Sequence, residues 1–189
     1  IKSIVFLGYI IPMAIVGVIC LFIFDRDAGI VNGVLRAVGL GSGKGYLADP
    51  STALYAIILM SGWIWTGFTI TVFSAGLENI PRDLYDAARI DGATGWQILQ
   101  KITLPLLRPA TLVSIMMSIV YSIKIFDLIY VTTMGGPGYA TSVLAFQIYM
   151  EGFRFLHFGY GSALAIFLTL LALLLGYPLL RTFTKRARS

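Results

Sequence analysis

Charge is scarce in this chain: Asp, Glu, Lys and Arg together make up 12% of its 189 residues. There is one cysteine, Cys20, set inside an apolar run. That excludes a disulfide framework and a cysteine-based metal site. There is one histidine, His157, which excludes a histidine-rich metal cluster. No carboxylate pair, Ser/His arrangement or metal-ligand set sits at a spacing that suggests a membrane enzyme. What fills the chain instead is apolar: 58% of residues are hydrophobic and the mean hydropathy is +0.86. Such values point to a multi-span membrane protein. The net charge of +5 and pI near 9.4 then report membrane topology rather than nucleic-acid binding.

Four apolar stretches are long enough for a helix to cross a bilayer, which takes about 20 residues. They lie near 4–24, 52–76, 110–131 and 158–180. They are too long and too little alternated for barrel strands, so the expected fold is an all-α, polytopic membrane helical bundle with four visible spans. Pro12 is expected to kink the first span. Trp63 and Trp65 fall near the middle of the second, too deep for an interfacial belt, and are expected to pack against protein. The first residue is Ile, inside the lead-in to a span, as in a chain that starts partway through a longer polypeptide.

Lys and Arg in the connections set the orientation. With 77–109 in the cytoplasm, nine basic residues lie inside: Lys2, Arg82, Arg89, Lys101, Arg108, Arg181, Lys185, Arg186 and Arg188. Four lie outside: Arg26, Arg36, Lys44 and Arg154. Both visible ends are therefore expected in the cytoplasm. The outer loop 25–51 is polar and Gly-rich, with an amphipathic stretch around Ile30–Val38. Its Gly39–Gly45 run is not a phosphate loop, because Val38 stands where the first Gly belongs and Gly45 where Ser or Thr would hold magnesium. It reads as a flexible turn. Gly135-Gly136-Pro137-Gly138 is a second outer turn, and Thr141–Phe155 has helical spacing at or just outside the membrane surface.

The segment 77–109 carries the densest local signals. Pro81 suits a helix's first turn, Asp83 complements the dipole there, and a helix is expected over about 81–90. Gly92 ends it, since a missing side chain permits a left-handed backbone. Thr94 is then a new N-cap, with Gln97 three residues on to complete a capping box. A second helix is expected to carry Trp96, Leu99 and Ile102 until Pro105, with Pro105 and Pro109 breaking the chain before it re-enters the membrane. Leu84, Ala87 and Ala88 make a small-centred face, and Asp86 and Arg89 sit one turn apart at its edge.

Together, Asp86-Ala87-Ala88-Arg89-Ile90-Asp91-Gly92 and Ile102-Thr103-Leu104-Pro105 resemble the "EAA" loop of ATP-binding-cassette import permeases, pattern E-A-A-x3-G-x9-I-x-L-P. Asp86 stands where the family has Glu, which keeps the charge and shortens the arm by a methylene. The resemblance implies that Asp86, Ala87, Ala88, Arg89, Asp91, Gly92, Ile102, Leu104 and Pro105 form a helix pair docking onto a partner ATPase. Leu84–Ala93, Phe126-Asp127-Leu128-Ile129-Tyr130, Thr133, Gly135–Gly138, Thr141, Tyr149, Gly152-Phe153 and Gly159 are similar to the first permease of a maltose- or glycerol-phosphate-type pair. The likeness covers nearly all 189 residues, and such permeases carry about two further spans ahead of this point. It implies a second permease, two cytoplasmic ATPases, an extracytoplasmic solute-binding protein, and a place in the cell's inner membrane. ATP and magnesium are then the ATPase's, with no cofactor in this chain, and solute moves by alternating access. The competing expectation is a self-contained channel or secondary transporter, for which the capped helix pair is mere linkage.

The solute path is read from the third span. Thr111, Ser114, Ser118, Tyr121 and Ser122 form one polar stripe about 100° wide, with Lys124 and Asp127 winding off its edge. Tyr121, Ser122, Lys124 and Asp127 are the candidate path residues; the alternative is a Lys124–Asp127 structural ion pair plus hydrogen bonds between helices. In the fourth span, Gly159 with Ala163 and Gly161 with Ala165 are spaced for close helix packing. His157 reads as an interfacial polar residue.

Overall fold

The computed structural model describes residues 9–40 and 43–186, with side chains described up to residue 177. Every described regular element is helical. In chain order they are α1 (Met13–Ile23), α2 (Ile30–Ala37), α3 (Ala53–Glu78), α4 (Arg82–Ile90), α5 (Gly95–Leu106), α6 (Arg108–Lys124), α7 (Asp127–Thr132), α8 (Leu144–Tyr149) and α9 (Phe158–Arg186). A π turn over Leu99–Thr103 lies within α5, and a second over Met150–Arg154 continues α8.

Two described helices, Ala53–Glu78 and Phe158–Tyr177 within α9, are long and apolar enough to cross a membrane. The other two expected spans are interrupted. In the first, residues 4–8 lie outside the described residues and the helix restarts after Pro12, whose own carbonyl accepts from the amides of Ile15 and Val16. The proline kink therefore appears as a full break, and α1 has 11 residues. The third expected span, 110–131, is not continuous. It stops at Lys124, Ile125 turns extended (ψ 118°), and α7 starts at Asp127. The charges fit that break: a cation ends one helix and an acid begins the next, each matched to the local dipole. Lys124 and Asp127 thus sit on different helices, and no ion pair joins them among the described residues.

Packing is densest where α7 lies on α1. A Cβ at Gly17 would fall 2.8 Å from Val131 Cβ, so only glycine admits that approach. Val16, Cys20 and Phe24 of α1 and its C-cap, Ala56, Ile57, Met60 and Ile64 of α3, and Leu128, Ile129 and Phe146 form one buried cluster. At the other end of α3, a Cβ on Gly76 would meet Ala110 Cβ at 2.9 Å, which brings the start of α6 against α3. α6 also packs on α9, and α8 with its π turn packs on α9 as well. Gly161 supplies that last closeness: its Cβ position is 3.1 Å from the Gly152 backbone. At Gly159, the other glycine expected at a contact, an added Cβ would meet open space.

The connecting segments 25–51 and 133–157 carry more side-chain ties than turn residues alone suggest. Asn32, fully buried on α2, donates its Nδ2 to the carbonyls of Asp25, Arg26 and Lys44. Lys44 Nζ pairs with Asp49 at 2.9 Å, so the lysine that mimics a phosphate-loop residue is a structural tie. The Ser51 hydroxyl and Lys44 hold the Asp49 carboxyl down at about 2. Farther along, Thr141 is buried, bonds Thr133 Oγ1 at 2.7 Å and donates to the Gly136 carbonyl at 2.7 Å. That locks the Gly135–Gly138 turn, where Gly135 has φ +79° and faces the Phe146 ring. His157 is exposed and bonds Glu151, which in turn accepts from Gln147.

Candidate functional site

Two places gather the residues singled out above. The first is the polar insert between α3 and α6. α4 runs Arg82–Ile90 with Asp83 in its first turn, so the expected helix is present within one residue. Gly92 then takes φ +76° and donates to the Arg89 carbonyl, while Ala93 donates to Ala88. This left-handed step turns the chain at once into the next cap. Thr94 Oγ1 accepts from the Gln97 amide at 3.4 Å and Gln97 Oε1 accepts from the Thr94 amide at 2.8 Å, so the capping box is complete.

Pro105 does not end α5. The helix runs on to Leu106, because the π turn opens the coil just ahead of the proline, with the Leu104 amide on the Leu99 carbonyl. The wider ring relieves the clash a proline makes with the preceding turn. The break falls instead at Leu107, where the axis bends by 59° into α6. Pro109 sits in the first turn of α6 and opens that helix rather than breaking it.

Within the insert, Arg89 Nη1 meets Asp86 Oδ1 at 3.1 Å, with both side chains well exposed. The pair is too solvated to add much stability, and both groups stay free to exchange partners. Ala87, Asp91 and Gly92 are exposed, as is Leu104; Ile102 and Pro105 are half-buried. Ala88 is different. It is 8% exposed, so it belongs to the inner side of α4 rather than to the open small-residue face expected for it. The Tyr85 hydroxyl lies 3.3 Å from Thr103 Oγ1 and ties α4 to α5. Ile90 and Trp96 are left uncovered at 85% and 65% exposure. Beside α4, a recess of about 600 Å³ takes in Glu78, Arg82, Tyr85, Asp86 and Arg89.

The second place is a hollow of about 320 Å³ between α3 and α6. Its polar lining is Ser61, Trp65, Ser118, Tyr121 and Ser122, and apolar side chains such as Ile57, Ile129 and Val143 complete it. Trp65 Nε1 donates to Ser118 Oγ at 2.6 Å, and its ring stacks on Tyr121 with centroids 4.3 Å apart and planes 18° off parallel. Of the four candidate path residues, the hollow includes Tyr121 and Ser122. It leaves out Lys124 and Asp127, which are exposed at the helix break beyond it. Ser61 and Trp65, on the facing helix, complete the polar lining without having been singled out for it, although a tryptophan at mid-span was a usable signal. Its neighbour Trp63 points the other way and is half exposed, contrary to the expectation that both pack against protein.

Two helices long and apolar enough to cross a membrane thus stand beside a capped polar insert and a hydroxyl-lined hollow. Residues 1–189 match the family described as the binding-protein-dependent transport system inner membrane component, and the chain belongs to that family. It is 45% identical over 172 residues to a probable ABC transporter permease of Pyrococcus horikoshii, covering 90% of this chain and 59% of that protein. It is 37% identical over 175 residues to the trehalose/maltose transport system permease of Thermococcus litoralis, covering 91% and 58%. Among solved structures it is similar to a bacterial ABC transporter that imports the acidic polysaccharide alginate. The TM-score is 0.86 at 27% identity, covering 97% of this chain and 64% of that one. The chain thus spans about three fifths of the length of the relatives it matches.

Proposed function

We propose that this chain is a permease subunit of an ATP-driven importer, carrying a sugar or sugar-like solute across the inner membrane by alternating access. The insert supports this most directly. Two helices, the first closed by a left-handed glycine and the second opened by a capping box, hold Asp86, Ala87, Arg89 and Asp91 on an exposed knuckle. Mere linkage between spans needs neither the caps nor the uncovered Ile90 and Trp96. The knuckle enters a cleft on a partner ATPase, with Ile102, Leu104 and Pro105 setting its angle and Ala88 holding α4 on its own subunit.

In this account the bundle has four spans in the described part, α1 and α6–α7 being the broken ones, with both visible ends in the cytoplasm. The other partners are a second permease and an extracytoplasmic binding protein. Supporting parallels are a solved alginate transporter in complex with a pentasaccharide-bound periplasmic protein, and relatives named for trehalose/maltose and sulfoquinovosyl glycerol transport. Tyr121 and Ser122 line the solute path in the hollow, joined by Trp65 and Ser61. Lys124 and Asp127 stand at the helix break beside it, where unwound backbone suits a moving element.

Reconstitution tests the assignment. The full-length subunit, assembled with its partner permease and ATPases in proteoliposomes, is expected to hydrolyse ATP faster when a solute-loaded binding protein is added. Solute flux through the purified subunit alone, indifferent to ATP, would instead make it a channel or secondary transporter.

A further inference from the structure

The hollow between α3 and α6 has a one-sided hydrogen-bonding character. Each side-chain donor in its lining is already used inside the protein. Trp65 Nε1 donates to Ser118 Oγ at 2.6 Å, and Ser118 Oγ donates to the Ser114 carbonyl at 2.7 Å. Ser122 Oγ donates to the Ser118 carbonyl at 2.8 Å, and Ser61 Oγ to the Ile57 carbonyl at 2.8 Å. The Tyr121 hydroxyl donates to Met13 Sδ at 3.5 Å. Each hydroxyl has a single hydrogen but two acceptor sites. With the serine hydrogens committed to backbone carbonyls and the tyrosine's turned to a weak thioether acceptor, what the lining mainly has left to offer is lone pairs. Among the described residues, no Lys, Arg, His, Asp or Glu lines the hollow.

A lining of this kind selects its ligand by charge. Sugar hydroxyls arrive with hydrogens to give and meet acceptors. A carboxylate or phosphate arrives needing donors and meets lone pairs, which leaves a desolvated anion without partners. The stacked Trp65 and Tyr121 rings, with Ile57, Ile129 and Val143, suit the C–H face of a pyranose ring. Lys124, one turn or less along α6 from Tyr121 and Ser122, stands outside the lining.

We infer that the hollow takes a neutral, hydroxyl-rich solute and rejects anionic ones such as uronates, sugar phosphates and polyol phosphates. This rests on the hollow being part of the solute path. It separates the chain from the alginate importer it resembles in fold, whose cargo is acidic.

Equilibrium titration of the assembled transporter, without binding protein, tests the inference with maltose, trehalose and cellobiose against digalacturonate and glycerol phosphate. The best neutral probe is expected to bind at least roughly tenfold tighter than either anion, the scale of one unmet buried polar group. Ser122→Lys, which sets a cation at the lining, is expected to narrow or invert that ratio. Wild-type protein that binds digalacturonate or glycerol phosphate as tightly as the neutral probes overturns the inference. A neutral probe whose affinity is unmoved by Tyr121→Ala and by Ser122→Lys, or no binding by any probe, removes the hollow from the path, and the inference falls with it.

Discussion

The insert and the hollow are built from opposite materials. Consecutive residues make the insert: a dipole-matched helix, a left-handed glycine and a capping box, all within Arg82–Gln97. Residues far apart in the chain make the hollow, since Trp65 and Ser118 are 53 positions apart and belong to different helices. On the proposed reading the first is a mechanical part, its shape held by backbone chemistry, and the second a binding surface, its character set by which hydrogens the neighbouring helix consumes. Damage to one should therefore show in coupling, and damage to the other in solute handling.

The largest effect is expected at Gly92. A side chain there meets no neighbour, but the backbone stands at φ +76°. Valine in that conformation costs on the order of 1–3 kcal/mol. That depopulates the native knuckle by roughly five- to 150-fold. Gly92→Val is expected to abolish transport in proteoliposomes while the assembled complex keeps its affinity for the solute-loaded binding protein. Normal transport by this variant would break the division between a coupling part and a binding part.

Trp65 comes next and sharpens the other half. Trp65→Ala removes both the stack on Tyr121 and the hydrogen bond to Ser118. The stack is worth about 0.5–1.5 kcal/mol and the inter-helix bond about 0.6 kcal/mol. Solute affinity of the assembled transporter is expected to fall roughly tenfold, with ATP hydrolysis in the absence of solute little changed. Trp65→Phe keeps a ring and should lose less. It also frees Ser118 Oγ from its donor, which a titration with maltose would register.

The smallest effect belongs to the cap. Thr94→Ala deletes the side-chain acceptor for the Gln97 amide and costs about 1 kcal/mol of local helix stability. Hydrogen exchange in Gly95–Ile98 should quicken, with transport lowered only a few-fold. The same segment in Trp65→Ala should exchange at the wild-type rate.

The same contrast explains what could be read in advance. Caps, a turn glycine and a dipole-matched acid act within four residues, so Pro81–Gln97 was legible almost to the residue. Pro105 was not, because whether a proline ends a helix depends on whether the preceding turn can widen, and the π turn at Leu99–Thr103 did so. The third span was expected to be continuous because its apolar run is continuous. The charges on either side of Ile125–Phe126 were the missed signal, one suited to a helix end and one to a helix start. For the same reason the Lys124–Asp127 pairing, which needs one helix, does not form. In the hollow, the stripe on one helix identified Tyr121 and Ser122, but Ser61 and Trp65 came from the facing helix, and periodicity within one helix carries no information about its neighbour. Ala88 was placed on the open face by its size alone, whereas the packing of α4 turns it inward.

Site-directed crosslinking at Ala87 tests the central claim most directly. This residue lies on the exposed side of α4, and Cys20, the chain's only native cysteine, is buried and can be replaced. Ala87→Cys in a Cys20→Ala background, in the assembled transporter, is expected to crosslink to the ATPase subunit, with the yield changing when ATP is bound. Crosslinking to the partner permease alone, or no ATPase adduct in a complex that still hydrolyses ATP in response to solute, would contradict the account.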